Sequence, residues 1–300
     1  MEIKNVVVAG GGVMGSQVAW QTAWHDFNVT VYDAFDKGIE RCKKFHETYS
    51  KEFIDKRGAS EGRVNQAKQH LSYTTNLEEA AKDADLIIEQ VPEDLEIKQK
   101  FWEDASKYSP EKTIFTTNTS SLLPSDMVQF VDRPEKFLTL HFCVPVWDAN
   151  IGEVMAQSKT EDKYYDIMLE YAEKMGLVPI AVKKEQPGYI LNSLLIPFGL
   201  ATVDLVRRGV ADHESIDKVW RICNKSDIGP CQMIDMTGMN VNYHVLKSWG
   251  ETKNDQKALD AAEYIQSEFI DKGHLGVESG QGFYSYPNPS FEDEDFLKTT

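Results

Sequence analysis

Asn5-Val6-Val7-Val8-Ala9-Gly10-Gly11-Gly12-Val13-Met14-Gly15 stands near the start of the chain, a β-branched apolar run feeding straight into a glycine-rich turn. Each glycine of the G-x-G-x-x-G spacing has its own reason: Gly10 for a tight turn, Gly12 for close backbone approach to a pyrophosphate, Gly15 for close packing of helix on strand. The helix opened by Val13 and Met14 then aims free amides and its positive dipole end at the phosphates. A second run, Asn28-Val29-Thr30-Val31-Tyr32, ends on Asp33. A carboxylate at that strand tip accepts hydrogen bonds from both hydroxyls of an adenosine ribose. A 2′-phosphate would meet its charge, and Ala34-Phe35-Asp36 offers no arginine, so NAD is favoured over NADP. Glycine-rich turns also occur for purely conformational reasons. Here strand, helix and terminal acid are all in register, and that context carries the nucleotide reading.

The 300 residues imply two domains, with 41% apolar content for two cores. Cys42, Cys143, Cys223 and Cys231 show no C-x-x-C spacing, so neither a metal site nor a disulfide framework is expected, and reduced thiols in a cytoplasmic protein are the simpler reading. The first strand begins within five residues of the N-terminus, which leaves no room for a signal peptide. The longest apolar stretch, Tyr189 to Val206, is broken by Asn192, Pro197, Gly199 and Asp204 and reads as a buried helix, not a membrane span. A net charge of −16 argues against nonspecific nucleic-acid binding. Residues 41 to 70 depart from it, with eight basic side chains against four acids. Such a segment suits a polyanionic ligand; the plainer alternative is a solvated pair of helices.

The first 185 residues alternate strand and helix. Strands are expected at Val6 to Ala9, Val29 to Asp33, Asp85 to Gln90, Thr113 to Thr117, Phe137 to Phe142, Glu153 to Ala156 and Val178 to Val182, with helices such as Asp94 to Tyr108 and Asp162 to Met175 between them. Alternation of this kind predicts an α/β, Rossmann-type, mostly parallel sheet covered on both faces. Near Glu185-Gln186-Pro187-Gly188 the pattern changes. Residues 186–300 then read as an all-helical second domain, with helices over Tyr189 to Arg208, His213 to Asn224, Val241 to Trp249 and Asp255 to Lys272, and an aromatic closing segment, Gly280-Gln281-Gly282-Phe283-Tyr284-Ser285-Tyr286.

Ligands of open parallel sheets bind beyond the carboxyl ends of the strands. Two polar groups fall there: Asn118-Thr119-Ser120-Ser121 and His141-Phe142. His141 is the candidate proton acceptor, since an imidazole titrates near neutrality. Glu153, 12 residues on, would fix its tautomer if adjacent. A base oriented by an acid suits alcohol oxidation, proton to His141 and hydride to nicotinamide. Each piece alone has a plainer explanation: a satisfied strand-end histidine, turn and cap chemistry at Asn118 to Ser121, a hydrogen-bonded amide at Asn192 on a buried helix.

Together these residues resemble the L-3-hydroxyacyl-CoA dehydrogenase family over essentially the whole chain. The markers are Gly10 to Gly15, Asn118 to Ser121, His141-Phe142 with Glu153, Pro187-Gly188-Tyr189-Ile190-Leu191-Asn192, Gly229-Pro230 and Gly280 to Tyr284. The resemblance implies His141 as catalytic base, Glu153 as its partner, and Ser120 and Asn192 as holders of the substrate's oxygens. It also implies Glu93 and Lys98 toward the nicotinamide side of NAD, with Asn118 at the same cofactor, a helical hairpin near 37–70 beside CoA, and a homodimer made by the helical domain.

One departure follows the histidine. The family usually reads His-Phe-x-Asn-Pro, whereas this chain has His141-Phe142-Cys143-Val144-Pro145, and Val144 lacks the amide of the expected asparagine. Asn150 is near in sequence. Bulky Trp147 suggests a shortened acyl pocket and a four-carbon substrate. The leading expectation is interconversion of an L-3-hydroxyacyl-CoA, 3-hydroxybutyryl-CoA first, with its 3-ketoacyl-CoA. The alternatives are a dehydrogenase of a free 3-hydroxy acid, gulonate or carnitine in type, and a catalytically silent NAD-binding protein.

Overall fold

Alternate residues of the central strands enter two different cores, which is why those strands read as unbroken apolar runs. Val6, Val8, Leu86, Ile88 and Ile114 belong to one core; Val7, Ala9, Ile87 and Phe115 belong to the other. The computed structural model describes residues 1–298, which divide into two compact units, Met1–Ile190 and a second that begins at Leu191. Residues 299 and 300, the end of the stretch expected as the helical domain, lie outside the described residues.

The first unit carries an eight-stranded sheet built from β1 (Asn5–Ala9), β2 (Asn28–Tyr32), β3 (Leu71–Thr74), β4 (Leu86–Glu89), β5 (Ile114–Thr117), β6 (Phe137–Phe142), β7 (Ile151–Ala156) and β8 (Val178–Val182). Their order is β3-β2-β1-β4-β5-β6-β7-β8. Helices α1 (Val13–Trp24), α2 (Asp36–Arg57), α3 (Glu61–Gln69), α4 (Leu77–Ala81), α5 (Leu95–Tyr108), α6 (Pro124–Met127) and α7 (Asp162–Lys174) connect or flank them. Neighbouring strands pair in parallel except β6 and β7, which are antiparallel. Cys143 to Asn150 is all the chain that joins those two, too short for the crossover that a parallel pair needs. β3 was not expected: a short edge strand of Leu-Ser-Tyr-Thr has little apolar signal.

The hairpin of α2 and α3 turns through Gly58 in the left-handed region, φ 67°, after which the Ser60 hydroxyl caps α3 by accepting from Arg63 N at 3.2 Å. Its core is aromatic: Trp20, Tyr49 and Phe53 are buried, with Trp24, Phe45 and Trp147 packed around them. Trp147 meets Tyr49 and Phe53 edge-on at 4.9 and 5.2 Å between ring centroids. The loop after β6 is thus fastened to the hairpin, and Arg57 also pairs with Asp148. Trp147, expected to shorten an acyl pocket, is placed with its ring against the hairpin.

The second unit consists of α8 (Leu191–Arg207), α9 (His213–Asn224), α10 (Pro230–Thr237), α11 (Met239–Lys253) and α12 (Gln256–Glu268), around a core that includes Leu200, Val203, Ile234, Leu246 and Ile265. Two buried carboxylates organise it. Asp217 accepts from Cys231 N and Gln232 N at 2.8 and 3.2 Å, closing the start of α10, and from the Tyr284 hydroxyl at 2.9 Å. Asp235 accepts from Phe283 N, Tyr284 N and the Tyr286 hydroxyl at 2.8, 2.9 and 3.0 Å, which gives the aromatic closing segment its place. Among the described residues no helix is long and apolar enough to cross a membrane, and no group of three or more His, Cys, Asp or Glu is placed to hold a metal.

Candidate active site

The carboxyl ends of β1, β2, β4, β5 and β6 form one rim. At β1, Gly10 takes φ 125°, a region closed to most side chains, and a Cβ on Gly15 would collide with the Gly10 carbonyl. These two positions require glycine for α1 to start against the strand. Gly12 precedes α1 with no side-chain cap, so the helix's first amides face outward from bare backbone. Asp33, one residue past β2, accepts from Gly11 N at 2.8 Å and Phe35 N at 3.1 Å, which holds its carboxylate beside the glycine turn. The amide nitrogen of Gln90, buried at the end of β4, has no hydrogen-bond partner among the described residues. A cradle of bare amides with an acid at its far side and a spare buried donor fits a dinucleotide.

Behind this rim lies an ionic cluster that sequence reading only half saw. Lys98 occupies the buried face of α5 with Phe101, Trp102 and Ala105, at helical spacing. Its ammonium is 1% exposed and lies 2.7 Å from Glu89 and 3.1 Å from Glu93. Lys98 is therefore occupied with two carboxylates. Glu89 ends β4 and also accepts from the Thr117 hydroxyl and Val91 N, at 2.6 and 2.8 Å. Burial pushes its carboxyl up, against the opposing pull of Lys98 and Thr117. Burial also works to raise Glu93, but the Lys98 ammonium and the donors of Thr119 and Ser121 outweigh it and hold that carboxyl down at about 2. Glu93 accepts from Ser120 N at 3.0 Å, from the Ser121 amide and hydroxyl at 2.9 Å each, and from the Thr119 hydroxyl. One ionised carboxylate thus pins the whole turn after β5.

That turn presents Ser120 to His141. The antiparallel register sets His141 of β6 opposite Glu153 of β7, so their side chains rise from the same face of the sheet. Nδ1 of His141 lies 3.0 Å from Glu153 Oε2, and Nε2 lies 3.2 Å from the Ser120 hydroxyl. The second Glu153 oxygen accepts from Ile190 N at 2.9 Å. Both side chains are almost fully buried, at 5% and 1% exposure. A carboxylate on Nδ1 fixes the tautomer that leaves Nε2 able to accept a proton, on the side where a hydroxyl waits.

Not every expected residue falls at this point. Asn118 spans three strand ends, its oxygen accepting from Phe142 N at 2.9 Å and its amide donating to Gln90 at 2.7 Å. Asn150 does not stand in for the missing asparagine, since its amide donates to the Gly176 carbonyl at 3.2 Å; Val144 is half-exposed. Val13 is exposed, and Met14 packs against the core under the sheet. Asn192 lies in the first turn of α8, in the second unit. Sequence reading passed over Glu89 and Tyr189. An acid closing the apolar run Leu86-Ile87-Ile88 was the available signal for the first. Tyr189 stood inside the marker Pro187 to Asn192 but with no role of its own, because its contact with His141 depends on a turn of the backbone.

The chain matches two family models: 3-hydroxyacyl-CoA dehydrogenase, NAD binding domain, over residues 5–186, and 3-hydroxyacyl-CoA dehydrogenase, C-terminal domain, over residues 188–286. It is 30% identical over 290 residues to a probable 3-hydroxyacyl-CoA dehydrogenase of Caenorhabditis elegans, covering 95% of this chain and 93% of that one. It is also 30% identical over 290 residues to a probable 3-hydroxybutyryl-CoA dehydrogenase of Bacillus subtilis strain 168, covering 95% and 98%. Among solved structures it resembles a diketoreductase described as acting on dicarbonyl compounds, with TM-score 0.90, 42% identity, and 95% and 100% of the two chains covered. The (S)-3-hydroxybutyryl-CoA dehydrogenase PaaH1 of Ralstonia eutropha follows with TM-score 0.85, 25% identity, and 96% and 100% covered.

Proposed function

We propose a reaction for a chain that belongs to the 3-hydroxyacyl-CoA dehydrogenase family: interconversion of a short-chain L-3-hydroxyacyl-CoA, 3-hydroxybutyryl-CoA first, with its 3-ketoacyl-CoA. The protein is an NAD-dependent oxidoreductase, and bound NAD supplies the hydride acceptor or donor. His141 takes the hydroxyl proton on Nε2, Glu153 steadies the resulting imidazolium through Nδ1, and Ser120 holds the reacting oxygen. Asn192 is assigned a second hydrogen bond to the substrate. Gly10, Gly12, Val13, Met14 and Gly15 carry the pyrophosphate, Asp33 the adenosine ribose, and Asn118 and Glu93 the ends of the nicotinamide pocket. The cluster gives Lys98 an indirect part, fixing Glu93. The observation that carries the reading is the buried Glu153–His141–Ser120 line at 3.0 and 3.2 Å.

The short acyl chain is supported by relatives named for 3-hydroxybutyryl-CoA. Exposed Leu194, Val219, Ile222, Met236 and Val241 of the helical unit support a homodimer through that unit, which light scattering tests; a monomer at micromolar concentration refutes it.

A second reading, reduction of a small free dicarbonyl compound, is favoured by the 42% identity to the diketoreductase. The hairpin adds weight, since three of its cations already have partners: Arg57 with Asp148, Arg63 with Asp26 and Lys68 with Glu47. A carnitine-type cage finds less support there. Arg63 and Arg57 themselves sit over the rings of Trp24 and Phe53, at 4.6 and 5.3 Å. A panel decides: acetoacetyl-CoA and a free β-diketone with NADH and NADPH, and L-gulonate and L-carnitine with the oxidised cofactors NAD and NADP. The CoA reading requires acetoacetyl-CoA to give the highest kcat/KM, with KM rising with salt; a higher kcat/KM on the free diketone overturns it, and no turnover on any member overturns the dehydrogenase reading itself.

A further inference from the structure

We propose that Tyr189 is a positioning residue for the proposed base, holding the plane of the His141 ring and tying it to the turn that carries Ser120. The rings of His141 and Tyr189 stack face to face, with centroids 4.2 Å apart and planes 8° from parallel. Tyr189 is 1% exposed, among Met155, Val182 and Leu123. Its hydroxyl donates to the Thr119 carbonyl at 2.6 Å, one residue before Ser120.

The geometry explains why a face contact is needed. Partners at Nδ1 and Nε2 act within the plane of the imidazole and put nothing against its face, so small out-of-plane swings are left to the side chain's own torsions. A parallel ring at van der Waals distance limits those swings. The hydroxyl then fixes the neighbouring turn to the same ring, so base and Ser120 share one reference point. The backbone has been bent to achieve this. Tyr189 has φ 53° directly after Gly188 at φ 79°, and a bulky residue in the left-handed region persists only where its surroundings over-determine it. The same turn aims Ile190 N at Glu153. One short segment therefore holds both members of the pair, imidazole by a ring and carboxylate by an amide.

The charged and titratable groups around His141 are Glu153 on β7, Glu93 behind the Ser120 amide, and the Cys143 thiol just past β6, which burial and Glu153 push up to about 11.

This inference rests on His141 being the base, and the test separates the two. Tyr189→Leu and Tyr189→Phe are compared by kcat, KM, NAD affinity and ¹⁵N relaxation of the His141 ring nitrogens, which reports how firmly the ring is held and needs no turnover. In Tyr189→Leu, kcat should fall about 10- to 100-fold, and the His141 ring should become more mobile, with NAD affinity unchanged. In Tyr189→Phe the ring mobility and kcat should stay near wild type while substrate KM rises about 5-fold, the share of one hydrogen bond. Unchanged His141 ring mobility and a kcat within threefold in Tyr189→Leu overturn the stacking role; an unchanged KM in Tyr189→Phe overturns the tether. If Tyr189→Leu does not fold, Tyr189→Phe and Tyr189→Trp decide: a loosened His141 ring with the aromatic face retained overturns the proposal. Full turnover in His141→Gln overturns the base reading instead, whatever Tyr189 does.

Discussion

Replacing Glu153 by glutamine changes almost no volume at a site that is 1% exposed, so its effect is chemical. Two acceptor tasks of this carboxylate are at stake: Oε2 for Nδ1 of His141 at 3.0 Å and Oε1 for Ile190 N at 2.9 Å. Glutamine brings one acceptor oxygen and one donor group, so one task fails. With the oxygen kept on Ile190, the amide NH₂ faces Nδ1 and the ring moves its proton to Nε2, the nitrogen that must accept. With the oxygen turned to His141, donor meets donor at Ile190 in a dry site, at a cost of about 1–3 kcal/mol. The first arrangement is cheaper because a neutral imidazole changes tautomer easily. The expected result is a kcat lower by about 10²- to 10⁴-fold, or about 3–5 kcal/mol of transition-state stabilisation. NAD affinity should hold, because the glycine turn is untouched. Steady-state kinetics with NAD titration by fluorescence reads both. A kcat within threefold of wild type refutes tautomer control by Glu153; an equal loss of NAD binding shows a folding defect instead.

Lys98→Met should destabilise the first unit by about 3–5 kcal/mol, since it strands the buried Glu89 carboxylate beside Glu93; urea denaturation checks this, with Glu89→Gln added as partial rescue, and a loss under about 1 kcal/mol refutes the cluster's structural role. Acid should weaken the hairpin through His46, 2% exposed, whose ring lies between Tyr73 at 2.6 Å and the Ser16 carbonyl at 2.9 Å and whose pKa burial lowers from 6.5 to about 4. That stability is fully present above pH 6.5 and lost as pH falls toward 4, about 3 kcal/mol in all at 1.36 per unit. The loss should be absent from His46→Gln in denaturation series across this range, and identical slopes for the two proteins refute it. Asp33→Ala should weaken NAD about tenfold and narrow its advantage over NADP; an unchanged cofactor ratio, measured by kcat/KM, counts against the ribose assignment.

The sheet was legible because its signals are local. Val6 to Ala9 and Leu86 to Ile88 are β-branched or aliphatic without interruption, and only strands covered on both faces tolerate that. The glycine turn was legible for the same reason, as Gly10 and Gly15 satisfy constraints within a few residues of themselves. β3 escaped because four residues at a sheet edge, three half-buried and one exposed, carry too weak a pattern, and α10 because part of what fixes it is Asp217, a distant carboxylate at its first turn.

Sequence alone determined the nucleotide-binding strand, turn and helix, the acid at the tip of β2, and the residue types of a proposed base and its partner. Whether that histidine and carboxylate meet was decided by the antiparallel return of β7, which sets His141 opposite Glu153. Tertiary structure also gave Lys98 to two carboxylates, laid Trp147 on the hairpin, and brought Tyr189 onto the imidazole face. The division has one physical cause. Backbone preference and burial period act over a few residues and are written in order along the chain, whereas a charge finds its partner, and a ring its neighbour, only after residues far apart in sequence have packed.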